Sequence, residues 1–357
     1  MELLDQEVRQ ELAKSGLLRS MRADASLSYH LHRLTKAELT EIRRQLAVKG
    51  VSSLPKQELA EVLHGAIIDS LPSQLQLLDE ITFDDLRALV KKKGLLKNPT
   101  DIPPETLLML RKMGLGFTGV LENHGLILIM PRELVAPCQE LLKSEELRQT
   151  IFTNQKVLLV CRGLLAYYGI MPLADMRDRL QEMGLPTSEP HFSRLVTTIG
   201  VGNGYFDHVG DFLCDKRVVF YEEVLRHHIA KQEYGYLPVS LEEALLAAQQ
   251  MYIDWTDCHR ELFAYLQAVH GLDDEEAAEE LMFLIFAINN HVPIPSLLQR
   301  LWERGIKLPS FTNAIEFLTL LEKTHKHTRL WQNLGYTPAE MEELQSRPRL
   351  RVITREN

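Results

Sequence analysis

Apolar residues recur at helical spacing along most of the chain, and short strand-like runs interrupt them in two regions. Leu3, Leu4, Val8 and Leu12 give a weak helical period that predicts an N-terminal helical arm. A firmer pattern follows. Thr35 and Glu38 fit a capping box ahead of Leu39, Ile42 and Leu46. The run from Val48 to Leu54 breaks the period, and Pro55 then opens a second helix carrying Leu59, Val62, Leu63 and Ile67. A short helix over 81–97 ends at Lys91-Lys92-Lys93-Gly94, with lysines suited to a helix C-terminus and a glycine suited to its left-handed cap.

Residues 104–143 predict helix, hairpin, helix: Thr106–Met113 is helical, and Gly119-Val120-Leu121 and Leu126–Ile129 flank a turn at Glu122-Asn123-His124-Gly125. Residues 150–232 repeat that theme. One helix ends at Tyr167-Tyr168-Gly169, a second starts at Pro172, and a third runs from Pro190 through Ile199. A hairpin then turns at Val209-Gly210, so three helices and a hairpin describe a winged helix. From Pro238 every segment reads helical: Leu241–Met251, Trp255–Val269, Asp274–Asn289, Pro295–Arg304 and Asn313–His325. Thr337 with Glu340 predicts a further cap, and Trp331 is expected to pack on the preceding helices.

The fold class expected is mainly α, with a small helix–extended loop–helix module, winged-helix-like α+β units and a C-terminal helical domain. The ranges are 1–25 for the arm, 26–100 for the module, 101–148 for the helix–hairpin unit, 149–237 for the winged-helix-like domain, 238–346 for the helical domain and 347–357 for a basic tail.

Leu34-Thr35-Lys36-Ala37-Glu38-Leu39, Gly50 and Ser53-Leu54-Pro55-Lys56-Gln57-Glu58-Leu59 resemble the small helical module at the N-terminus of the Rho transcription termination factor, and the SAP-type DNA-binding module is similar. That resemblance implies a loop and second-helix start that face phosphates. His327-Thr328-Arg329-Leu330-Trp331-Gln332-Asn333-Leu334-Gly335-Tyr336-Thr337-Pro338 resembles the segment preceding the zinc-binding SEC-C tail of bacterial proteins, some of which also carry a Rho-like module. Here Arg347, Arg349, Arg351 and Arg355 follow in place of cysteines, so no structural zinc is expected.

Composition adds constraints. The net charge of −9 argues against a globally basic nucleic-acid binder and leaves room for a local basic face. The longest apolar run, Leu281–Ile288, falls far short of the ~20 residues of a membrane span. The acidic start lacks the order of a secretory signal, and Cys138, Cys161, Cys214 and Cys258 are scattered without a C-x-x-C pair, so a cytoplasmic location with reduced thiols is expected.

No set of acid, base and nucleophile stands out, so neither enzyme activity nor a cofactor is expected. His30-x-His32, His227-His228 and His325-x-His327 place neighbours one or two apart, which do not share a helix face, and no metal site is expected from them. Cys258-His259 reads as incidental. Gly200-Val201-Gly202-Asn203-Gly204 follows a helix, the reverse of a dinucleotide loop, and reads as a turn. Asp273-Asp274-Glu275-Glu276 reads as a solvated helix start. In the third helix of the winged-helix region only Arg194 is reliably cationic, and Asp207, Asp211 and Asp215 on the wing would repel phosphates.

The candidate nucleic-acid-binding residues are therefore Lys36, Arg43, Arg44, Lys49, Ser52, Ser53 and Lys56, with Leu39, Leu46, Leu54 and Leu59 expected beneath them. The expected function is non-enzymatic, weak and low-specificity binding of DNA or RNA. The alternative is a protein–protein adaptor using the winged helix and the acidic helical domain.

Overall fold

Strand signals are few and short, and the chain accordingly forms a mainly helical protein with two small antiparallel sheets. The computed structural model describes residues 20–22, 26–121, 125–249 and 255–346. Most of the expected N-terminal arm, the turn residues 122–124, the last residues of the helix expected at Leu241–Met251 and the basic tail 347–357 lie outside the described residues. Among the described residues no helix is long and apolar enough to cross a membrane.

Two compact units divide the chain: residues 1–158 with 184–205, and residues 159–183 with 206–357. The division does not follow the ranges expected from sequence, because 149–237 is shared between both units.

The first unit begins with α1 (Leu27–Arg33), α2 (Lys36–Gln45) and α3 (Lys56–Leu75). Leu27 and Leu31 on α1, Leu39 and Ile42 on α2, and Leu59, Leu63, Ile67 and Leu71 on α3 are buried, which makes the three helices one packed module. Asp79 caps α4 (Glu80–Lys91), accepting from the Thr82 amide at 2.9 Å. Gly94 then turns the chain at a φ of +82° into β1 (Leu95–Lys97). After α5 (Pro104–Lys112), β2 (Phe117–Leu121) and β3 (Gly125–Ile129) form the expected hairpin, and α6 (Arg132–Leu141) follows. Sequence periodicity placed β1 in the tail of a helix; it instead pairs with β3, giving the strand order β1-β3-β2.

The long helix α7 (Glu145–Tyr168) runs from the first unit into the second. It leads to β4 (Ile170–Pro172) and α8 (Leu173–Glu182). The third helix of this region is short, α9 (His191–Arg194), and continues as one π-helical stretch, Leu195–Gly200, inside the first unit. The hairpin β5 (Asp207–Val209) and β6 (Phe212–Cys214) belongs to the second unit, where the strand order is β4-β6-β5.

The two sheets share one topology down to their hydrogen bonds. In each, a helix stops at a left-handed glycine, Gly94 or Gly169, whose carbonyl accepts from the residue just after the last strand: Met130 at 2.9 Å and Asp215 at 2.7 Å. Leu95 then pairs with Ile129, as Ile170 pairs with Cys214. The two sheets thus share strand order and pairing, with one helix, α5, between the first strand and the hairpin in the first and α8 and α9 there in the second.

The rest of the second unit is helical: α10 (Tyr221–Lys231), α11 (Leu241–Gln249), α12 (Asp257–His270), α13 (Asp274–Asn289), α14 (Ile294–Glu303), α15 (Phe311–His327) and α16 (Pro338–Ser346). Leu262, Leu266, Leu281, Ile285, Leu297, Leu301, Phe317 and Leu321 form its main core. Trp331 organises a second, smaller core with Ile170, Cys214 and Val224. Its indole donates to Ala166 O at 3.0 Å and its amide to Asn289 Oδ1 at 2.9 Å. The expected cap at α16 is present, with Thr337 N donating to Glu340 and Glu340 N donating to Thr337 Oγ1.

Candidate nucleic-acid interface

The α2–α3 module holds every candidate residue. Thr35 and Glu38 close the capping box: Thr35 N donates to Glu38 Oε2 at 2.7 Å and Glu38 N donates to Thr35 Oγ1 at 3.2 Å. Glu38 also pairs with the largely buried Arg111 at 3.4 Å, so its charge is neutralised locally. α2 ends as Ala47 takes a φ of +52° and Gly50 one of +78°, and a turn closes with Leu54 N donating to Val51 O at 3.3 Å. α3 starts after Pro55 with no side-chain cap, leaving its first amides open to an external acceptor.

Lys36, Arg44, Lys49, Ser52, Ser53 and Lys56 are all exposed. Arg43 is different. It is half-buried and its guanidinium donates to Val48 O at 3.3 Å, so it braces the loop rather than projecting from it. Leu39 and Leu59 are buried as expected, but Leu46 and Leu54 are only half-buried, because they flank the turn instead of lying inside the helix packing. Among the described residues none of Lys36, Arg44, Lys49 or Lys56 enters an ion pair. Residues 26–100 carry eleven Lys and Arg against nine Asp and Glu, in a chain whose total charge is −9.

A second basic surface lies in the same unit. A groove of about 710 Å³ is lined by Arg87, Lys91, Lys143 and Arg148 together with Asp84. Most of its cations already have partners: Arg87 with Asp84 at 3.5 Å, Lys143 with Glu140 at 2.8 Å and Arg148 with Glu145 at 3.7 Å. Each is an exposed i,i+3 pair of little energetic weight, but together they lower the positive potential.

At the helix that a winged-helix reading would place in a DNA groove, Glu189 and Thr197 are exposed, whereas His191 and Thr198 are engaged within the first unit. Thr198 is buried and bonded to Gln45, and His191 shares a 3.0 Å hydrogen bond with Asn154. Ser193 Oγ donates to Glu189 at 2.7 Å. Burial lowers the pKa of Arg194.

A polar cluster that the sequence did not reveal sits nearby. Asn203 Nδ2 donates to Asp79 Oδ2 at 2.7 Å and to Thr82 Oγ1 at 2.8 Å, and its carbonyl accepts from Thr106 at 2.9 Å. The Tyr205 hydroxyl adds a further bond to Asp79 at 3.1 Å. Asp79 is fully buried and is satisfied by hydrogen bonds. Asp79 also caps α4, and its link to Asn203, 124 residues away, carried no local signal.

The histidine and cysteine pairs resolve individually. His30 is buried, stacks on Phe117 at 4.5 Å and is depressed to about 4 by burial, while His32 is exposed and bonds to Ser28 O. His228 is buried and shares a 2.7 Å hydrogen bond with Trp331 O. His259 is engaged with Thr256 and Thr328 rather than with a thiolate. All four cysteines are buried free thiols, and burial pushes Cys138 and Cys214 up to about 12, far from a nucleophilic thiolate.

No family model, curated protein or solved structure matches the chain. The Rho-like, SAP-like and SEC-C-like resemblances thus rest on the quoted motif residues alone.

Proposed function

We propose that this protein is a non-enzymatic, nucleic-acid-associated regulatory protein that binds DNA or RNA weakly through the α2–α3 module. The observation that carries the reading is a set of exposed cations free of ion pairs on the module, Lys36, Arg44, Lys49 and Lys56, together with the exposed Ser52 and Ser53 in the loop before an uncapped helix start. Open helix amides, hydroxyls and lysine charges suit phosphate oxygens. The α4–α6 groove ranks second because its cations are largely paired. Binding of this kind is salt-dependent and shows little sequence preference, since contacts to phosphates carry no base information.

The test is a titration of the whole protein with short labelled DNA and RNA at low salt. Lys49→Glu with Lys56→Glu should abolish binding and leave the helical circular dichroism unchanged. No binding at tens of micromolar would remove the nucleic-acid reading. Unchanged binding by the double variant would move the site to the Arg87–Lys91–Lys143–Arg148 groove.

A second reading, protein adaptor, has its own support. α14 leaves Ile294 and Trp302 exposed, and α15 leaves Phe311 and Ile315 exposed, with Phe311 at 81%. Exposed large apolar side chains of this kind favour a protein partner.

A further inference from the structure

Sequence spacing gave no metal site, because the histidine pairs are adjacent or one residue apart. The fold of the second unit makes a different grouping. Glu223 lies in the first turn of α10 and His227 one turn later, the i,i+4 spacing that shares a helix face. His291 comes from the turn after α13. A carboxylate oxygen of Glu223 and one ring nitrogen each from His227 and His291 all lie within 4.8 Å of one another. We propose that these three side chains bind a divalent transition metal ion, zinc in the first instance, with the remaining coordination positions left to water.

Three atoms no further apart than 4.8 Å share a centre within about 2.8 Å of each. Zinc–nitrogen and zinc–oxygen bonds are ~2.0–2.2 Å, so small side-chain rotations complete the site. The two imidazoles are already near each other, with ring centroids 5.4 Å apart and planes 29° from parallel. Two imidazoles and one carboxylate are the donor set of open zinc sites, in which three protein ligands leave a position for solvent.

Three features hold the ligands in place. Asn290 ties the His291 turn to the segment that enters α10: its amide donates to Arg217 O at 3.0 Å, and its carbonyl accepts from Val219 N at 2.8 Å. Phe286 O also accepts from the Asn290 amide, at 3.0 Å, which fixes the turn to α13. His291 itself takes a φ of +52°, the left-handed turn that ends α13, where Val292 N donates to Ala287 O at 2.9 Å. The nearest lysine along α10 is diverted, since Lys231 donates to Gln332 O at 3.0 Å and to Asn333 Oδ1 at 2.5 Å. Among the described residues Glu223 has no ion-pair partner, so its carboxylate is available to a cation. The buried thiols do not compete for metal in the folded chain.

The experiment is zinc titration of the chelator-treated full chain by calorimetry, with cobalt as a spectroscopic substitute. One equivalent should bind at micromolar concentration and raise the melting temperature, since binding only the folded state stabilises it. His291→Gly, which accepts the positive φ, and Glu223→Gln, which keeps the shape, should each weaken binding at least about tenfold. His32→Ala, at an exposed histidine in the other unit, should leave it unchanged. The proposal is overturned if no stoichiometric binding appears below about 100 µM, or if either His291→Gly or Glu223→Gln changes affinity less than twofold.

Discussion

Asn203→Ala tests whether the buried Asp79 depends on its hydrogen bonds. The side-chain amide of Asn203 makes one bond to the carboxylate and two to threonine hydroxyls, at 2.7–2.9 Å. A bond to a charged group contributes about 1.5–3 kcal/mol and a neutral one about 0.5–1.5 kcal/mol. Tyr205 remains on Asp79 Oδ2 in the variant, and Asn203 is half-buried, so water replaces part of what is lost. The net loss expected is about 2–4 kcal/mol. For a unit of this size that corresponds to a melting-temperature drop of roughly 5–15 °C. Urea unfolding followed by far-ultraviolet circular dichroism measures it directly. Asn203→Asp is the sharper variant. It sets a second carboxylate against Asp79, so it should be worse than alanine at pH 7 and recover as acid protonates the pair. A loss below about 1 kcal/mol for alanine, with no pH dependence for aspartate, would refute the idea that the network holds this buried charge.

Two further outcomes are expected. The carboxyl of Asp85 is pushed up to about 6 by burial and then by the neighbouring Asp79 and Asp84 charges, so its contribution to stability is full below its ordinary value of 3.8 and lost as pH rises through about 6. Asp85→Asn should therefore stabilise the protein at pH 7.5 and give no gain at pH 4, read from urea midpoints at both pH values; the gain is about 1 kcal/mol, because solvent screens this half-exposed group. Gly163→Ala on α7 would place a Cβ 1.8 Å from the backbone carbonyl oxygen of Ala244 on α11, a contact no rotamer change relieves. It should cost about 3 kcal/mol in a thermal melt, at the upper end of overpacking penalties, and a wild-type melting curve would show that the two helices separate freely.

The repeated sheet explains why two strands, β1 and β4, were missed. β1 and β4 are three residues long, too short for alternation to show against the helices before them. Only pairing with β3 and β6 defines them, and the left-handed Gly94 and Gly169 that set up this pairing look in sequence like ordinary helix caps.

By itself the sequence determined whatever depends on neighbours within a turn or two of helix. The capping boxes at Thr35–Glu38 and Thr337–Glu340, the break at Gly50, the hairpin ending at Ile129 and the helices after residue 238 all arise from such local terms. It also placed the cations of the α2–α3 loop on the surface, because charged side chains flanking an amphipathic pair have nowhere else to go. Tertiary structure decided what depends on residues far apart. It turned Arg43 inward to brace a loop, engaged Thr198 with Gln45 and His191 with Asn154 inside the first unit, and joined Asp79 to Asn203. It also brought His291 to Glu223 and His227, where the sequence showed only unrelated histidines. A helix period records which face is buried, but not which distant side chain will meet a given atom there, and both the buried network and the proposed metal centre consist of such meetings.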